Sequence, residues 1–77
     1  MHAAKLEKSA RLQNMHNALR KAGGKGATTW ELIHSAVSAN VSSDISELRR
    51  NGIKIDCVRQ GIGSGRAIYR YWLTELR

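Results

Sequence analysis

The chain has 77 residues, 42% of them apolar and 25% charged, and 13 Lys and Arg against 6 Asp and Glu give it a net charge of +7. That length sets one compact domain, residues 1–77, as the ceiling. A domain this small buries only about 60% of its unfolded surface, which leaves no room for an enclosed substrate cavity with a supporting shell and argues against an enzyme. The composition is globular, no stretch approaches the roughly 18 apolar residues of a membrane span, and residues 1–8 lack the apolar run of a secretory signal.

Residues 4–22 predict a helix. Leu12, Met15, Leu19 and Ala22 recur at three and four residues, Leu6 and Ala10 extend the stripe, and residues 1–8 are expected to fray. Gly23-Gly24 ends this helix, with Arg20 and Lys21 in its last turn at the negative end of the dipole. Ala27-Thr28 predicts a very short strand. Thr28 and Glu31 have the spacing of a capping box and open a second helix over 29–36, with Trp30, Ile33 and Ala36 lining one edge of its apolar face, Leu32 nearby and His34 exposed.

Ser38 is the expected N-cap of a third helix over 39–51, whose buried stripe is Val41, Ile45 and Leu48 and whose stop is Asn51-Gly52. The period then changes. Ile53-Lys-Ile55-Asp-Cys57 alternates apolar with polar and predicts a half-buried strand reaching Arg59, with Cys57 facing inward. Gln60 to Arg66 predicts a glycine-rich turn, and 67–73 a return strand with Tyr69, Tyr71 and Leu73 toward the helices. The expected fold is α+β, a winged helix of the helix-turn-helix class: three helices plus a C-terminal two-stranded β-hairpin wing.

The charge is unevenly spread. Residues 1–25 carry six basic groups and one acid, residues 26–48 three acids and no Lys or Arg, and residues 49–77 seven basic groups and two acids. Basic groups spread over a folded scaffold, not massed in one run, point to a polyanionic partner, and a helix with a polar outer face fits a major groove. Asn40, Ser42, Ser43 and Ser46 are the expected base-contacting residues of the third helix. Arg49 and Arg50 are expected to clamp phosphate beside the groove. Arg59, Ser64 and Arg66 are expected to bring the 59–67 wing onto the backbone or into the minor groove, with Gln60 and Arg70 nearby. Ile62 is an apolar residue in the wing tip.

Other chemistry finds little footing. The single cysteine excludes an internal disulfide and a cysteine-rich zinc site, and implies a reducing, cytoplasmic setting. His2, His16 and His34 lack metal-ligand spacing, so neither a metal nor another cofactor is expected. The acids Glu31, Asp44, Glu47 and Asp56 form no pair suited to acid–base catalysis, and the segment Gly61–Gly65 lacks the following helix of a nucleotide-binding loop.

The run Asp44-Ile-Ser-Glu-Leu-Arg-Arg-Asn-Gly-Ile-Lys-Ile55 resembles the I-x-x-L-R-x-x-G-x-x-I core of small helix-turn-helix domains of bacteriophages and prophages, through Ile45, Leu48, Arg49, Gly52 and Ile55. The likeness covers roughly residues 10–73, with Tyr69-Arg-Tyr71 standing where the return strand belongs; the serine-rich outer face of the third helix departs from the pattern. The resemblance implies a winged-helix fold and phage-type DNA binding in the cytoplasm of a bacterial host. The expected function is double-stranded DNA binding by a small phage or prophage transcriptional regulator, with an excision-directing factor and a replication accessory open beside it. A homodimer on a palindrome, joined through the first helix or the 72–77 tail, would add specificity. The alternative is a phage-encoded inhibitor docking on a host protein complex, with Ile62 and the acidic middle segment as its interface.

Overall fold

The computed structural model describes residues 5–63 and 66–76, apart from the side chains of Ile62 and Arg66. A 3-10 turn, Leu6–Lys8, leads into α1 (Ala10–Ala22). After a second 3-10 turn (Gly23–Lys25) come β1 (Ala27–Thr28), α2 (Thr29–Ser35), α3 (Val41–Arg50), β2 (Ile55–Gly63) and β3 (Arg66–Leu73), then a final 3-10 turn, Thr74–Leu76. The architecture is α+β. The sheet is antiparallel and three-stranded, in the order β1-β3-β2, so the short strand at Ala27-Thr28 adds a member to the expected two-stranded hairpin. No helix among the described residues is long and apolar enough to cross a membrane.

One core joins the three helices to one face of the sheet. Leu12, Met15 and Leu19 of α1, Leu32 of α2, and Val41, Ile45 and Leu48 of α3 pack with Ile55, Tyr71 and Leu73, and the leucines, Met15 and Ile45 are fully buried. Close packing of this kind is the main favourable contribution to folding in so small a domain. Gly26 lets β1 approach β3: its φ is +74°, and a Cβ there would lie 2.5 Å from the Tyr71 carbonyl oxygen.

Several boundaries differ from the sequence reading, each for a local reason. The first helix begins at Ala10, not at residue 4, because the Ser9 hydroxyl accepts the Leu12 amide and caps it. Residues 5–8 do not fray: the Leu6 amide donates to Asn51 Oδ1 at 2.9 Å, and the Leu6 side chain packs against the core. Residues 1–4 lie outside the described residues.

The α2 capping box forms as expected, with Glu31 N–H donating to Thr28 Oγ1 and Thr28 N–H to Glu31 Oε1. The Thr28 amide first, and the Thr28 hydroxyl after it, hold the Glu31 carboxyl below its ordinary range. Trp30, expected on the apolar face, is 44% exposed. The buried stripe of this short helix runs through Leu32 and Ala36, four residues apart, which puts Trp30 on the outer flank.

Asn40, not Ser38, caps α3: its Oδ1 accepts the Ser43 amide at 3.1 Å, and α3 spans 41–50 rather than 39–51. The strand after α3 starts at Ile55 rather than Ile53, because the Ile53 amide is spent on the Leu48 carbonyl that closes the helix. Cys57 shares the face of Ile55 yet is exposed, since β2 is the sheet edge and helix cover ends short of it. The glycine-rich segment is mostly ladder rather than turn. Pairing continues through Gly61↔Ile68, Ile62↔Ala67 and Gly63↔Arg66, with a bulge between Arg59 and Gly61.

Candidate nucleic-acid interface

An α-helix turns by about 100° per residue, so the buried residues of α3 define its outward face. Val41, Asp44, Ile45 and Leu48 are buried. Ser43, Ser46 and Arg50 fall opposite them and are exposed, with Ser42 and Arg49 on one flank and Glu47 on the other. No described element covers that outer face.

The Glu47 flank turns to α1. Arg11 reaches across with Nη2 donating to Glu47 Oε2 at 2.6 Å and Nη1 donating to Asp44 Oδ1. The other oxygen of Asp44 accepts the Ser38 hydroxyl at 2.7 Å, so a carboxylate at the heart of the helix contact has each oxygen satisfied. The two carboxylates, Glu47 first, hold the Arg11 guanidinium above its ordinary pKa. Asp44 and Glu47, read in the sequence as unpaired acids, thus converge on one arginine. Their negative charge is compensated on the side away from the outer face.

The opposite flank of α3 meets the sheet. Arg49 donates through Nε (3.2 Å) and Nη2 (2.7 Å) to the Ile55 carbonyl, and Nη2 stands 4.0 Å from the Cys57 thiol. These two donors tie α3 to β2, while the Arg49 side chain, expected to clamp phosphate, remains exposed. Ser42 lies beside the Tyr71 hydroxyl. Burial pushes the Tyr71 phenol above its ordinary pKa, while hydrogen bonds from Ser42 and Thr29 act the other way. Directly paired residues share a sheet face, so Arg59, opposite Tyr69, lies on the same side as Cys57 and Tyr71. The α3 flank and this sheet face therefore form one continuous surface, with Arg59 further along it.

Of the residues expected to contact DNA, Ser42, Ser43, Ser46, Arg50 and Arg59 are exposed on this side of the molecule. Asn40 is exposed at the start of α3, but its carboxamide oxygen is engaged as the cap. Ser64 and the Arg66 side chain lie outside the described residues, as does the side chain of Ile62. Arg70 and Gln60 serve the scaffold. Arg70 donates to Gln60 Oε1 and to the carbonyls of Lys25 and Gly26, which ties the β1 approach to the hairpin.

Sequence reasoning missed Arg11, Ser38 and Asp44 as the fastening of α3. A signal existed for Asp44: it falls in step with Val41, Ile45 and Leu48, so a carboxylate had to be buried with them. Arg11, 33 residues away, carried no such mark. No protein-family model, curated protein or solved structure matches the chain.

Proposed function

We propose that the protein binds duplex DNA as a winged helix-turn-helix domain, with α3 in the major groove and the β2–β3 hairpin along the backbone, and that it acts as a small transcriptional regulator. The observation that carries this reading is the uncovered outer face of α3, made of Ser43, Ser46 and Arg50, continuous with the sheet face bearing Arg59 in a chain of net charge +7. The element order α1-β1-α2-α3-β2-β3 with strand order β1-β3-β2 supports it, because that topology sets a helix pair beside a hairpin. Affinity comes chiefly from phosphate contacts, and α3 adds selectivity.

Fluorescence anisotropy with random duplex and random single strands at several salt concentrations tests this. Neutralising about five phosphates gives a slope of log affinity against log salt of roughly −4.5. Duplex binding with a steep slope supports the reading. Affinity that ignores salt, or a preference for single strands, rejects it.

A second reading, docking on a host protein, draws on Trp30 and Val37, which are 44% and 84% exposed on and just after α2. Loss of duplex binding on replacing Arg50 and Arg59 together, with Trp30→Ser neutral, separates the first reading from this one.

A further inference from the structure

Resting on the duplex-binding reading, we infer that Arg50 reads a guanine base, and that α3 therefore selects a site with guanine at one fixed position. Three features of α3 lead there. Asn40, the residue chemically suited to a two-bond grip on adenine, has its Oδ1 turned to the Ser43 amide. Arg49 has its Nε and Nη2 donors on the Ile55 carbonyl. Arg50 is exposed, and its side chain has no hydrogen-bond or ion-pair partner among the described residues.

Its position then matters. Arg50 stands near the middle of the outer face, in line with Ser46 one turn earlier and Ser43 two turns earlier. Those serines are short, so the helix backbone can sit close to the groove floor. Arg50, the one long side chain on that outer face, spans the remaining gap. A guanidinium presents paired N–H donors, and the guanine edge in the major groove presents paired acceptors, O6 and N7. Ser43 and Ser46 can donate or accept and so add weak preference at neighbouring bases.

The experiment is selection of preferred sites from a randomised duplex pool by the wild-type protein, followed by affinity and salt slopes for Arg50→Ala and Arg50→Lys on the selected site and on a scrambled duplex. The inference expects a wild-type motif with one fixed guanine. Arg50→Ala loses roughly 10- to 100-fold on that site, stays within about twofold on the scrambled duplex, and no longer distinguishes guanine at the fixed position. Arg50→Lys, which keeps the charge but not the paired donors, loses much of the same discrimination. Circular dichroism of both variants checks that α3 remains folded. An equal loss on all sequences, with the salt slope shallower by about 0.9, makes Arg50 a phosphate contact and overturns the inference. So does a selected motif without guanine, or no motif at all. These outcomes leave duplex binding itself standing, whereas absence of wild-type duplex binding at low salt overturns both.

Discussion

At its N-terminal end α3 is held through charge. Arg11 and Ser38 grip Asp44 from two elements, and Arg11 also reaches Glu47. At its C-terminal end the same helix is held mostly through the backbone: Gly52 N–H donates to the Arg49 carbonyl and Ile53 N–H to the Leu48 carbonyl, with Arg49 bracing the Ile55 carbonyl. This is the Schellman ending, and Gly52 at its turning point has φ +88°, where glycine costs least. The turn between α2 and α3 closes with the same long bond, Ser38 N–H to the Ile33 carbonyl. There the turning point is Val37, at φ +51°, a β-branched residue in the left-handed region. α3 is thus fastened from behind at both ends, while no described residue covers its outer face; the turn before it stores backbone strain.

Breaking the charged end should cost most. Asp44→Ala leaves the buried Ser38 hydroxyl and Arg11 without their carboxylate and is expected to lower stability by about 2 kcal/mol in urea unfolding. Gly52→Ala tests the other end, where a Cβ meets no atom but the backbone conformation is strained; thermal unfolding should report a loss of about 1 kcal/mol. Asn40→Ala removes the cap and is expected to cost a little less, seen as faster amide hydrogen exchange in the first turn of α3. Val37→Asn sharpens the comparison in the opposite direction. Asn tolerates the left-handed conformation, so the variant should melt about 3 °C higher, and an unchanged or lower melting temperature would show that the turn holds no strain.

Much of this fold could be read in the sequence where local physics decides it. The apolar stripe Leu12-Met15-Leu19, the Thr28–Glu31 cap and the Asn51-Gly52 stop are short-range features, and each appears as expected. What could not be read are the choices among competing caps and partners. Ser38 and Asn40 are both good N-caps, and only the tertiary position of Asp44 assigns Ser38 to a buried carboxylate. Likewise Arg49 and Arg50 are adjacent and chemically alike. A turn of about 100° between them puts one against Ile55 and leaves the other on the outer face, and that depends on where β2 begins. Cys57 follows the alternation correctly but lies past the helices on an edge strand, which the pattern alone does not encode.

Amide chemical shifts followed during titration with a short duplex locate the surface that meets DNA. Duplex bound on α3 gives the largest changes at Ser43, Ser46, Arg50 and Arg59 and leaves unaffected the groove lined by Asn17 of α1 and Ser35 of α2. Changes concentrated in that groove, or none at all on α3, would contradict binding through α3.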